Sequence, residues 1–472
     1  MSYGRREILT DATEITTENV IAEVRAAFAT HYANRSEIEK LYNHYKGETD
    51  ILKKTRETRP DINHQINENH AYEIVSFHKG YGWGEPIQYV RRENSFSDKS
   101  DDIIAADINA LNGYMANAGK KSCDQNLAEW MLIAGVGNRM TLPNPLWTLD
   151  GDESPFKLYC LDPRGSFVVK SSGVERTPMF AVYFVKRRDG RVVFNVYTRN
   201  MFFKFVDGVK GLEYQPHALG MIPIVEYPAD TARLGVFETV MPLLNALNTL
   251  QSNRMDDIVQ FINSFLAILG AELNEETYQK LNDWKTLCLP EGADAKYLST
   301  ALNQADIQTL KNDFYQAILT ICGVPNRNGG TSTSDTGQAV ELRDGWAAAE
   351  ARAKGMETMF EEPERETLKL VLRILRDTVG TNLKLSDIAP HFTRRNYENI
   401  ASKSQVLIAM LNNPHIHPEL AFQYCGMFSD PASAYLQSKA YYDEQMSKWE
   451  PVNVGDAESD DEDAKVGGGE DV

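Results

Sequence analysis

The sequence is poor in the features that mark most enzymes and most secreted or membrane proteins. Its five cysteines (Cys123, Cys160, Cys288, Cys322 and Cys425) form no CxxC pair. An odd, widely spaced set argues against a disulfide framework and against a structural zinc site. No stretch approaches the roughly 18 consecutive apolar residues that a membrane span needs. The N-terminal residues lack the apolar core of a signal peptide, so the expectation is a protein made in a cytoplasm and not inserted in a membrane. Ser-x-x-Lys, GxSxG and HExxH are absent, and the close histidines His415 and His417 sit at alternate positions that share no helical face. No catalytic residue, metal site or cofactor is nominated, and the chain reads as a non-enzyme.

Positive charge is also scarce. The chain has 49 Lys and Arg against 67 Asp and Glu, a formal net charge of −18. From Asp456 onward eight acids face Lys465 alone, which reads as a solvated, disordered tail. Basic clusters such as Lys120-Lys121 and Arg394-Arg395 are short and read as surface. Such a chain is a poor clamp for a nucleic-acid backbone, because binding by counterion release needs many cations. It can still surround a duplex without gripping it.

Apolar periodicity supplies the elements. Residues 17–46 read as two short helices, with Ser36 and Glu39 at capping-box spacing for the second. Residues 67–81, 101–118 and 122–134 read as further helices. From about 143 to 228 short β-rich runs alternate with turn signals, Asp189-Gly190 among them. Residues 234–269 then read as one long amphipathic helix. Its polar stripe holds Asn245, Asn248, Ser252, Asp256 and Asn263. A mixed segment follows, then a helix to about Ile321, and a third helical stretch from Thr336 to Val379 that Pro363 should kink or split. Glu361, Glu362, Glu364 and Glu366 read as a solvated face. Small helices occupy 385–447.

Between the second and third of these long helices lies "GVPNRNGGTSTSDTG" (323–337). A phosphate-cradling loop would have Lys-Ser/Thr where this chain has Gln338-Ala339, and it would follow a strand instead of a helix. A nucleotide site is therefore rejected.

The segments resemble, in order, the portal (head–tail connector) proteins of long-tailed bacteriophages. "YNHYKGETDIL" (42–52), "INENHAYEIVSFHKGYGWGEPIQY" (66–89), "YCLDPRGSFVV" (159–169) and "HALGMIPIVEY" (217–227) carry the likeness. The two helices around a small insert, the Gly/Ser loop and the third helix extend it. The resemblance implies an α+β, mainly helical, ring-forming fold. In it, residues 1–39 are an N-terminal helical arm and 40–233 a wing with its β-rich part at about 143–228. Residues 234–269 and 305–322 are stem helices, and 270–304 a clip. Residues 323–336 are a tunnel loop, 337–384 a kinked wing helix, 385–447 a crown and 448–472 an acidic tail.

The implied function is a channel for double-stranded DNA packaging and ejection. The ring has twelve copies at one capsid vertex of the virion. Asn326, Arg327, Asn328, Gly329, Gly330, Thr331, Ser332, Thr333 and Ser334 are then the channel residues, and Lys280, Lys285 and Lys296 belong to the motor-docking clip. The implied partners are further copies of the chain, the passing genome, the terminase large subunit, head-completion or adaptor proteins, and the major capsid and scaffolding proteins. The alternative is another minor head or adaptor protein of the virion.

Overall fold

A short strand, β1 (Ile8–Thr10), leads into a single helix, α1 (Val20–Tyr45), where the sequence suggests two. The reason is visible in the buried positions. Val20, Val24, Ala27, His31, Asn34, Ile38, Leu41 and Tyr45 recur at alternating four- and three-residue steps, so one buried stripe runs through Ser36 without a break. The computed structural model describes residues 4–57, 59–92, 101–149, 151–262, 265–269, 294–298, 304–326, 345–394, 400–428 and 431–447. They divide into two units, Met1–Arg395 and Asn396–Val472.

In the first unit, α2 (His70–Trp83), β2 (Gln88–Arg91), α3 (Asp101–Asn117) and α4 (Lys120–Ala134) precede the β-rich region. That region begins earlier than the sequence suggests, at β3 (Val136–Pro143). Gly135 makes the turn into β3 with φ +77°, and a Cβ there would lie 2.1 Å from the Arg233 carbonyl oxygen, so only glycine fits. The region continues through β4 (Phe156–Leu161), β5 (Ser166–Ser171), β6 (Pro178–Lys186), β7 (Val192–Tyr197), β8 (Met201–Val206), β9 (Glu213–Pro216) and β10 (Ile224–Pro228). The expected Asp-Gly hairpin joins β6 to β7, with Gly190 at φ +84°.

One sheet has the order β1-β5-β6-β7-β8-β9 and a second β10-β3-β4. Phe167, Phe180, Phe184, Phe194 and Phe203 on the larger sheet pack against Val24 and Ala27 of α1. The smaller sheet closes on the larger through Met140, Val168, Ala181 and Ile224.

The helix expected over 234–269 is shorter. Residues 234–240 form a turn built on buried Glu238, whose carboxylate accepts from the Gly235 amide at 3.0 Å and the Arg5 guanidinium at 2.6 Å. Helix α5 then spans Met241–Ile262. The run "FLAIL" is not its last turn but strand β11 (Phe265–Leu269), paired antiparallel with β12 (Asp294–Leu298). Helix α6 is Gln304–Cys322.

Helix α7, Trp346–Thr378, passes through Pro363 without interruption, contrary to a split there; residues 336–344 lie outside the described ones. Phe360, Pro363, Glu364, Thr367, Leu368 and Val371 are all buried, so tertiary packing on both sides of the proline offsets the lost backbone bond. Strand β13 (Ile388–His391) pairs with β2 and closes the unit. In the second unit α8 (Ile400–Leu411), α9 (Pro418–Tyr424) and α10 (Pro431–Ser447) gather around Phe422, which stacks on Phe428 at 5.1 Å. His417 caps α9 and Pro418 opens it, as the turn reading of this segment expects.

Two surface readings are corrected. Glu364 is fully buried, not solvated, and Lys120 is 4% exposed. Arg139 of β3 donates to Glu364 at 2.7 Å and to the Tyr227 hydroxyl at 3.1 Å, and it also pairs with Asp124 of α4. Lys120 bridges Asp124 and, at 3.2 Å, Glu364. The hydroxyls of Tyr89 and Tyr227 complete the Glu364 shell. Two cations and two carboxylates thus cancel inside the core, where an isolated charge would be prohibitive. Burial pushes the Glu364 carboxyl upward, but Lys120 and Arg139 outweigh it and hold it ionised. This cluster ties α7 to α4, β2, β3 and β10.

Removing one partner leaves an unpaired buried charge. Arg139→Met should lower the unfolding free energy by about 3–5 kcal/mol in urea titration, whereas exposed Arg191→Met should change it by less than about 0.5 kcal/mol.

Candidate functional site

The long helices α5 and α6 lie side by side. Leu244 and Leu247 of α5 share one apolar core with Ile318, Leu319 and Cys322 of α6. At the other end Arg254 donates to Gln304 at 2.7 Å and to Gln308 at 2.8 Å.

Of the polar stripe expected on α5, Asn263 lies outside the described residues, Asn245 is half-buried beside His44, and the three residues between them are closed off. Asn248, Ser252 and Asp256 are 1%, 0% and 1% exposed. They are covered by residues 63–69, a strap of chain with no regular secondary structure. The strap amides of His64, Ile66 and Glu68 donate to Asp256 at 2.8 Å, Ser252 at 2.9 Å and Asn248 at 2.9 Å. Alternate strap residues therefore meet every fourth helix residue, and the two chains run antiparallel. The match is metric: four helical residues rise about 6 Å, and two extended residues span about 6.6 Å.

Side chains lock the strap at both ends. Asp256 also holds Lys54 at 2.8 Å, Arg56 at 3.2 Å and the His64 ring at 2.8 Å. Burial raises its carboxyl, but these donors overcome that and hold it down at about 2. Asn67 donates to the Gly47 carbonyl at 2.6 Å, and Asn69 donates to the Tyr45 carbonyl at 2.9 Å while capping α2. Glu68 accepts from Gln251 of α5 at 2.6 Å and from Lys311 of α6 at 2.8 Å, and pairs with His70 at 3.1 Å. His70 also meets Glu73 at 2.8 Å, and Glu73 accepts from Tyr315 of α6 at 3.0 Å. Hydrogen bonding to His70 is the leading reason that Glu68 is held down at about 2. Burial opposes the charge on His70, yet Glu68 and Glu73 raise it to about 9.

The segments that join these helices have anchored ends. After α6, Gly323 turns at φ +68°, and Arg352 of α7 caps the helix through the Ile321 carbonyl at 2.7 Å. His78 does the same at the Cys322 carbonyl at 2.8 Å, burial keeping the imidazole neutral with its pKa lowered to about 4. A Cβ on Gly345, just before α7, would lie 3.8 Å from Pro325 Cα, so residues 326–345 begin and end at one place. The β11–β12 ladder likewise brings Leu269 opposite Asp294.

Of the expected channel residues, Asn326 is half-buried at the end of α6. Arg327, Asn328, Gly329, Gly330, Thr331, Ser332, Thr333 and Ser334 lie outside the described residues, as do Lys280 and Lys285. Lys296 is on β12, opposite Ala267 of β11. The strap and its Glu68–His70–Lys311 joint are what sequence reasoning missed. The signal was present: three short polar side chains at i, i+4 and i+8 on α5.

The model of the phage portal protein family, SPP1 Gp6-like, matches residues 27–450. The chain belongs to that family. No curated protein matches the chain. A portal protein is a structural component of the viral head and not an enzyme. Among the described residues no helix is long and apolar enough to cross a membrane, and no cluster of His, Cys, Asp and Glu is arranged to hold a metal.

The joint around His70 has a definite pH signature. Its folded pKa of about 9 lies above the ordinary 6.5, so its contribution is complete below pH 6.5 and lost as pH rises through 9. Glu68, with a folded pKa of about 2 against 4.5, contributes above pH 4.5 and loses that as pH falls toward 2. His70→Asn should therefore flatten the fall in urea midpoint that the wild-type protein shows from pH 6.5 to 9; an unchanged profile would contradict the assignment.

Proposed function

We propose that the chain is the subunit of a twelve-membered ring at one capsid vertex, through which double-stranded DNA is packaged and later ejected. The single observation that carries this reading is the α5–α6 pair of a portal-family chain. The segment between α5 and α6 and the segment between α6 and α7 each leave and return at one place, one at either end of the pair. A channel subunit needs this arrangement: a rigid wall element with one extension toward the docking proteins and another toward the lumen.

In this reading residues 40–233 form the wing, helices α5 and α6 the stem, and the segment between them, entered and left through the β11–β12 ladder, the clip. Residues 323–336 form the tunnel loop, 337–384 the kinked wing helix, 385–447 the crown and 448–472 the tail. Lys280, Lys285 and Lys296 face the terminase large subunit and later the head-completion or adaptor proteins, and capsid and scaffolding proteins surround the wing. Arg327 and its neighbours from Asn326 to Ser334 touch the passing duplex through weak, exchangeable contacts. The net charge of −18 favours slippage, because each tight phosphate contact would brake translocation. The α5 stripe plays no part in that slippage, because the strap covers it.

A ring also needs a heterologous contact between unlike faces of neighbouring copies. Helix α6 offers one. Leu310, Ala317 and Ile321 share a helical face, and Leu310 and Ile321 are 42% and 49% exposed.

The wild-type protein should form rings with a central hole in negative-stain images, and Leu310→Glu with Ile321→Glu should give folded subunits that do not close. Rings from the double variant would remove α6 from the interface. Copy number tests the other reading, a minor head or adaptor protein: incorporation away from a single vertex in many copies would overturn the portal-vertex assignment.

A further inference from the structure

We propose that residues 63–69 form a coupling strap that makes helices α5 and α6 move as one body with α1 and α2, with Glu68 as a joint that carries α6. The proposal rests on the ring reading for its purpose, because a channel wall pushed at one end must hand displacement to the rest of the subunit. Its geometry stands on the single chain.

The two long helices are held unequally. Helix α5 is gripped by three backbone amides of the strap, through side chains that are buried and fully engaged. The strap is in turn fixed to the end of α1 and the turn after it, through Asn67 at Gly47 and Asn69 at Tyr45. Asn248 closes the circuit by donating to Asn67 at 3.0 Å. Helix α5 therefore cannot slide without breaking several bonds at once.

Among the described residues, no run of strap amides pairs with helix α6 as it does with α5. Its C-terminal end is packed in the apolar core through Ile318, Leu319 and Cys322. Toward its N-terminus residues 305, 306, 308–310, 312 and 313 are all exposed. Polar ties along this part of the helix include the Arg254 pair to Gln304 and Gln308, the ion pair of Lys311 with Glu68, and, one turn further on, Tyr315 donating to Glu73. Glu68 is the group that reaches both helices: one oxygen accepts from Gln251 and Lys311, and the other meets His70 at the start of α2. One carboxylate thus joins three elements. Substituting it leaves the α5 zipper whole, since Glu68 binds Asn248 through its backbone amide and not its side chain.

Hydrogen–deuterium exchange on the full-length protein, as free subunit and as assembled ring, tests this. Glu68→Gln and Lys311→Met should each speed exchange of amides 304–313 by about tenfold or more, with amides 241–256 changing by less than about twofold. Lys311→Arg, which keeps the ion pair, should stay at the wild-type rate. Equal acceleration in both helices would mean that Glu68 merely stabilises the fold, and no change in α6 would mean that its packing alone carries it; either overturns the proposal. Failure of the ring reading shows separately, as a wild-type protein that forms no rings while the free-subunit exchange result stands.

Discussion

A stretch of backbone without a helix or sheet of its own must find partners for its amides elsewhere, since buried unpaired donors are costly. Residues 63–69 meet this constraint by lying on α5, where Asn248, Ser252 and Asp256 present an acceptor every fourth residue. The rest of the α5–α6 arrangement follows. The strap fixes the rotation of α5, and rotation decides which of its faces meets α6 and which stays open. It leaves the apolar positions Leu310 and Ile321 of α6 exposed in the subunit.

The second constraint sits in α7. A helix carrying Pro363 and a fully buried glutamate would be unstable alone. Arg139, Lys120 and Asp124 make Glu364 neutral in sum, and Tyr89 and Tyr227 fill its remaining acceptor sites. That anchor sets the position of α7, whose Arg352 reaches the end of α6. The point where residues 326–345 leave and return is therefore defined by the core, not by the loop itself.

Much of the fold was legible in the sequence because period-two alternation and Asp-Gly turns are local signals. They located β4 to β8 and the β6–β7 hairpin. Strand β3 escaped because Gly137, Asn138 and a buried arginine interrupt its apolar pattern, and the arginine's charge is matched only in three dimensions. "FLAIL" suits a helix end or a strand equally, and only pairing with β12 decides it. Periodicity placed Asn248, Ser252 and Asp256 on one face of α5, but it says which residues share a face and not what covers it. Glu364 sits among acids that face water, so composition hid it. The expected channel residues from Arg327 to Ser334, with Lys280 and Lys285, lie outside the described residues.

The central claim is that the polar stripe of α5 is a seat for the strap and not a channel surface. Cysteine accessibility measures this directly. Among the described cysteines Cys123, Cys322 and Cys425 are buried and Cys160 is half-buried, so labelling of the wild-type protein sets the background. Maleimide should label Asn253→Cys and Thr249→Cys, which are exposed in the subunit, when assembled rings are dissociated. It should leave Ser252→Cys and Asn248→Cys unlabelled in both states. Rapid labelling at 252 or 248 in folded protein would show the stripe open to solvent and contradict the account.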